Sequence, residues 1–131
     1  MPQFSMIPER QRILQKIPDY AVDIEPSEKQ VTVSYDGKVI AQSNRALVIR
    51  ETRHAEAIYL PRDDVQLARF KPTEHSTYCP FKGHASYWSL ELGDGTTEDN
   101  VVWSYDSPYP EVADLKGYLS FYTDRTAITV A

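Results

Sequence analysis

At 131 residues, with 41% hydrophobic and 25% charged positions and a formal charge of -5, the chain has the composition of one ordinary globular domain. The acidic balance argues against sequence-independent nucleic-acid binding, which needs clustered Lys and Arg to displace phosphate counterions, and no stretch reaches the ~20 apolar residues of a membrane-spanning helix. A single cysteine rules out an intramolecular disulfide and fits a reducing, cytoplasmic setting, and residues 1–10 lack the basic start and apolar run of a secretion signal.

A short helix is expected over residues 8–17. Pro8 suits a first turn, Glu9 and Lys16 complement the two ends of the helix dipole, and Pro18 stops it. Ile13, Leu14 and Ile17 fall on one side, which predicts docking on the body or on a partner chain rather than a frayed arm. Residues 1–18 then form a helical extension of a single domain spanning 1–131. From there the pattern changes to period two. Tyr20, Val22 and Ile24 alternate with polar residues before Pro26 and Ser27. Val31, Val33 and Tyr35 alternate up to Asp36-Gly37, a pair that tolerates positive φ and signals a hairpin turn into a partner strand over 38–42.

Strands are expected next over 46–51 and 57–60, parted by a polar turn over 52–56. A single helical turn at 61–64 and a weaker strand at 66–70 follow. Residues 77–83 read as a tight loop, since Pro80 fixes one backbone angle and Gly83 can take a positive one. The loop leads into the longest strand, 84–92, closed by Gly93-Asp94-Gly95. Residues 100–105 form another strand, 107–110 interrupt the sheet, and 111–115 form a short helix ended at Gly117. Residues 118–123 and 126–130 read as a last hairpin around Asp124-Arg125. About eight or nine short strands with little helix predict a mainly β, single-domain antiparallel barrel or sandwich.

The window 77–88 holds the densest chemistry. Cys79 is the candidate nucleophile: the thiolate is the reactive form, and a charged nitrogen of Lys82 or His84 aimed at the sulfur would favour it, whereas a buried structural thiol is the alternative. Lys82, just before a glycine in a turn, suits a point-charge contact to phosphate or carboxylate, or plain solvation. His75, Cys79 and His84 are spaced to meet at one ion, but the paired cysteines of structural zinc are absent and no metal is assigned. Glu51 ends a strand and is a candidate general base. Asp63 and Asp64 offer a base, a cation site or a cap for the helical turn.

Trp103 and Tyr105 share one strand face, with Tyr87 on the neighbouring strand, as core or as pocket wall. Arg45, Arg50 and Arg53 either line one region or solvate an outer face. No Gly-x-Ser-x-Gly elbow, His-Glu-x-x-His helix or dinucleotide glycine fingerprint is present, which removes several enzyme classes. The expected site is a pocket for a small anionic metabolite or nucleotide, walled by Tyr87, Trp103 and Tyr105. Cys79 and Lys82 stand at its mouth, Glu51 serves as base, Arg45 adds a ligand contact, and the cofactor is unassigned. The competing expectations are a non-catalytic homodimer built on the N-terminal helix and an exposed sheet edge, and a metal-assisted transferase.

An ordered set of residues runs through the chain: Gly37-Lys-Val-Ile-Ala-Gln-Ser43, Arg45-Ala46, Glu51, Tyr59-Leu-Pro61 and Asp64-Val65. It continues with Thr77-Tyr-Cys-Pro-Phe-Lys-Gly83, Ala85, Tyr87, Trp103-Ser-Tyr105, Pro108, Gly117 and Phe121-Tyr122. In this set the chain resembles the domain of unknown function 427 family, small and mostly bacterial proteins that also carry a nucleotidyltransferase-like label, over residues 31–131. The resemblance implies a compact β-rich fold with no established activity, and the label implies nucleotide chemistry. Asp63 and Asp64 are adjacent, where the well-understood nucleotidyltransferases alternate Asp-x-Asp to hold metal. Zinc-binding β-tent domains are a distant fold relation that the resemblance suggests, here without their paired cysteines.

Overall fold

A computed structural model describes residues 9–131. Helix α1 (Glu9–Lys16) stands where the sequence places it, and Pro8, expected in its first turn, lies outside the described residues. The alternating segments become strands β1 (Val22–Pro26), β2 (Val31–Tyr35), β3 (Lys38–Ser43), β4 (Leu47–Glu51) and β5 (Ala57–Pro61). They are followed by β6 (Phe70–Cys79), β7 (Gly83–Glu91), β8 (Thr97–Tyr105), β9 (Tyr118–Phe121) and β10 (Ala127–Val130). Seven strands form one antiparallel sheet in the order β1-β4-β5-β9-β8-β7-β6, and three form a second in the order β10-β2-β3. Neither sheet closes on itself, so of the two expected architectures the sandwich is the one adopted. No described helix is long and apolar enough to cross a membrane.

Period-two alternation decides what lies between the sheets. Val31, Val33, Ile40 and Ala41 of the small sheet meet Leu60, Leu90, Val102, Leu119 and Phe121 of the large one. Phe70 and Phe121 close this core edge to face, with ring centroids 6.3 Å apart. The residues one step out of phase point to the other face of the large sheet. Tyr87 pairs with Trp103, Trp103 with Ser120, Ser120 with Tyr59, and Tyr59 with Leu47, which carries Ile49 and Glu51 onto the same face. The 3-10 segment Pro110–Leu115 covers part of that face with Val112 and Leu115.

The Asp36-Gly37 hairpin forms as expected, with φ of 49° and 79° at its two residues. Four other expectations are corrected. The weak strand over 66–70 is a 3-10 turn, Leu67–Arg69, that runs into β6. Strand β6 then continues for ten residues, through Pro72 and a bulge before Ser76, to Cys79. Most of its residues are exposed on the sheet edge, so it carries no apolar period for a sequence reading to find. The supposed loop over 77–83 shrinks to the turn at Pro80, Phe81 and Lys82. The strand expected over 100–105 starts at Thr97 and passes Asn100 at φ 51°.

The last hairpin does not form. β9 pairs with β5 and β8, while β10 crosses to the small sheet and pairs with β2. Arg125 holds this crossover, giving Nη1 to the Asp99 carbonyl at 2.6 Å and Nη2 to the Asn100 carbonyl at 3.0 Å. It also pairs with Glu98 at 3.2 Å.

Candidate functional site

The turn between β6 and β7 is fastened on two sides. The Lys82 amide donates to the Cys79 carbonyl at 3.2 Å, and the Lys82 carbonyl accepts the Tyr109 amide at 3.0 Å. Gly83 follows at φ +121°, where a Cβ would stand 3.3 Å from the Ser107 carbonyl oxygen. Gly83→Ala is therefore expected to cost about 1–3 kcal/mol in urea denaturation, because both the backbone angle and the Ser107 segment oppose a side chain.

With the backbone held, the Lys82 side chain is only 9% exposed and its ammonium pairs with the carboxylate of Glu51, itself 11% exposed, at the end of β4. The second Glu51 oxygen accepts the hydroxyl of Tyr20, whose ring stacks on Phe81 with centroids 3.7 Å apart and planes 13° from parallel. Tyr20, seated on Phe81, thus holds the Glu51 oxygen that Lys82 leaves free. Helix α1 fixes the neighbouring turn through Arg10. Its Nε donates to the Pro80 carbonyl at 2.6 Å, its Nη2 meets Glu111 at 2.9 Å, and its guanidinium lies 3.8 Å above the Tyr109 ring. A cleft of about 280 Å³ remains between α1 and the body, lined by Leu14, Ile17, Tyr20, Val22 and Phe81 among others.

Cys79, half-buried, belongs with Tyr59, Tyr87, Trp103 and Tyr105 to the cluster on the same sheet face as Glu51. The Trp103 indole N–H donates to the Tyr59 hydroxyl at 3.1 Å, and the Tyr87 hydroxyl contacts those of Thr77 at 2.9 Å and Tyr122 at 3.5 Å. Burial pushes the Tyr59 phenol up, against the Trp103 hydrogen bond and aided by the Glu51 charge. Burial likewise raises Tyr105. Tyr122 is pushed up to about 12 by burial and by its hydrogen bond with Tyr87. At neutral pH all three are neutral donors.

An unfolded tyrosine ionises near its ordinary 10.0, below these folded values, so the folded state binds more protons than the unfolded one in the interval. Stability is accordingly whole below pH 10 and falls as the pH rises toward about 12. The urea midpoint is expected to drop across that window. Alkaline ultraviolet titration is expected to show Tyr59, Tyr105 and Tyr122 ionising later than a free phenol.

A family-level sequence match spans residues 23–131 and is described as a domain of unknown function. The chain belongs to the domain of unknown function 427 family. No curated protein matches it. Glu51, Cys79 and Lys82 lie within the matched segment, whereas α1 and Tyr20 precede it.

In this DUF427 chain the fold brings Glu51, Cys79, Tyr87, Trp103 and Tyr105 to one sheet face, as the sequence reading grouped them. Lys82 joins them, but its ammonium is buried on Glu51 rather than standing at an open mouth. Arg45 is not part of the group. It pairs with Asp64 at 3.3 Å with 62% of its side chain exposed, on the order of 20 Å along the chain from Glu51. The 3-10 turn Arg62–Asp64 has no side-chain cap. Asp64 instead accepts the Ser43 hydroxyl at 2.5 Å. Arg50 and Arg53 pair with surface acids, Arg50 with Glu25 and Glu56 and Arg53 with Asp19.

Strand alternation puts Cys79, in register with Gly83, and His84, in register with Tyr78, on opposite faces. His75 packs on the Tyr87 ring, with centroids 4.4 Å apart. Among the described residues no three His, Cys, Asp or Glu side chains gather as a metal would require. Tyr20, Phe81 and Tyr59 are the site residues that sequence reasoning missed. The pairing of Val22 with Glu51 brings Tyr20 within reach, and nothing local to Tyr20 announces that.

Proposed function

We propose that this DUF427 domain binds a small anionic metabolite at the Glu51–Lys82 pair. Lys82 is the partner of the anionic group, and Glu51 is the carboxylate that the ligand displaces and that then serves as a base. Tyr59 and Tyr105 act as neutral phenols beside them, and Cys79 lies on the same sheet face. One observation carries the reading: an ion pair with side chains 9% and 11% exposed sits among phenols and a thiol. Well-packed apolar residues of the same volume are often neutral or about 1–4 kcal/mol more stable than a buried pair, so stability gives little reason to keep these charges. A site that must present a dehydrated ammonium does. The cleft under α1 supplies the approach, because Tyr20 both lines it and reaches Glu51.

A thermal-shift screen of nucleotides, phosphorylated metabolites and carboxylates tests the proposal. A ligand at a hundred times its dissociation constant adds about 2.7 kcal/mol of stability. The shift is expected to vanish in Lys82→Ala and to weaken in Cys79→Ala. A shift of equal size in Lys82→Ala, or none in the wild type, overturns the reading.

A second reading, a homodimer, draws on the exposed ten-residue edge strand β6. Pro72 and the bulge before Ser76 break its free hydrogen-bonding row, as on edges guarded against pairing, so the metabolite reading stands first. A monomer mass by sedimentation of the full chain removes the dimer.

A further inference from the structure

A larger cleft, of about 810 Å³, opens at another place, where the β2–β3 hairpin, the 3-10 turn before β6 and the β7–β8 loop meet. Its volume is that of a small-molecule site. Leu90 and Ile40, which line it, belong to the core between the sheets, so the cleft lies across the large sheet from Glu51 and Lys82. Its surface combines three features.

The first is an apolar floor of Ile40 and Leu90, 1% and 3% exposed, beside the ring of Tyr35. That ring is fixed because its hydroxyl donates to Glu98 at 2.9 Å. The second is charge. Lys38, Arg69 and Lys71 line the cleft, and among the described residues none of them holds a carboxylate. Arg10, Arg45, Arg50, Arg53, Lys82 and Arg125 each do. Asp36, Glu91 and Asp94 share the lining with them, so the cleft is balanced in charge and offers cations and carboxylates side by side.

The third is backbone. Gly93 at φ +84° and Gly95 at φ +91° flank Asp94, and a Cβ at either glycine would meet nothing within 4 Å. The amides of Gly93, Asp94 and Gly95 donate to no partner among the described residues. Successive amides freed by such turns form concavities that hold oxyanions. Asp94 is turned back on its own loop, accepting the Thr96 amide at 3.0 Å. Asp36 and Glu91, also on the cleft wall, remain as acceptors for a donor-bearing ligand.

We infer that this cleft is a ligand site for a small molecule with a phosphate or carboxylate at one end and hydroxyl or amino donors on its body. The oxyanion sits on Lys38, Arg69, Lys71 and the loop amides, and the donors meet Asp36 and Glu91. The inference stands apart from the Glu51–Lys82 reading, because it uses a different sheet face and different residues.

Titration of the labelled full chain with glycerol phosphate and with glycerate, at constant ionic strength and followed by amide nuclear magnetic resonance, tests it. At least one probe is expected to shift the Gly93, Asp94 and Gly95 amides saturably. Whichever probe binds more tightly identifies the oxyanion. Replacing Lys38, Arg69 and Lys71 together by Ala is expected to weaken binding about tenfold or more, and Lys82→Ala to leave it unchanged. Lack of a saturable shift with either probe, the same affinity in the triple variant, or a response centred on Lys82 and Gly83 overturns the inference.

Discussion

Lys82→Met is expected to lower the unfolding free energy by about 3–5 kcal/mol, because it leaves the Glu51 carboxylate buried without its counter-charge. Glu51 is 11% exposed and keeps only the Tyr20 hydroxyl as a side-chain partner once the ammonium is gone. Glu51→Gln is expected to cost a similar amount for the opposite reason, a stranded ammonium. The double variant Glu51→Leu with Lys82→Met is expected to recover most of the loss, since removing both charges removes the unpaired group. Urea denaturation followed by the fluorescence of Trp88 and Trp103 compares the wild type with these three variants, and adding Glu51→Leu alone closes the double-mutant cycle. Single-variant costs below about 1 kcal/mol would mean that the pair is hydrated like a surface pair, and the proposed site would lose its carrying observation. A domain of this kind has only about 5–15 kcal/mol of stability in total, so the measurements belong at low temperature.

Phe121→Ala is expected to cost about 3–5 kcal/mol by the same assay. Phe121 is 2% exposed, lies between the two sheets and meets Phe70 edge to face. Truncation leaves a cavity that the facing strands β2 and β3 cannot fill, because their ladder fixes Val31 and Val33 in place. Val39→Ala on the outer face of β3, 42% exposed, is expected to stay within about 0.5 kcal/mol of wild type. Near-equal costs for the two variants would refute a shared core between the sheets.

How much of this fold was legible varies by element. The β2–β3 hairpin was, because Asp36-Gly37 states its turn in two residues and Val31 and Val33 state the buried face. Strand β6 was not. A strand at a sheet edge is held by its ladder to β7 and has no need of alternating apolar residues. The partners of β9 and β10 were also hidden, since a short polar link around Asp124 reads alike whether it turns back on one sheet or crosses to another. Arg125 settles it by grasping the Asp99 and Asn100 carbonyls of β8.

The candidate site divides in the same way. Glu51, Cys79 and Lys82 stood out as reactive types within an ordered family set. Tyr87, Trp103 and Tyr105 stood out by alternation, which strands β7 and β8 keep. Arg45 was grouped with them because residue type alone carries no distance.

Local alternation and turn residues were enough, from the sequence by itself, to determine a mainly β chain and most of its strands. Only the tertiary structure decided that Lys82 is buried. A lysine before a glycine in a turn ordinarily extends into water. Here Glu51, 31 residues earlier in the chain, is delivered to it by the pairing order of the large sheet, and Tyr20, stacked on Phe81, takes the second Glu51 oxygen. Periodicity is a property of a few neighbouring residues, whereas the pairing of two charges in a dry place is a property of the whole sheet.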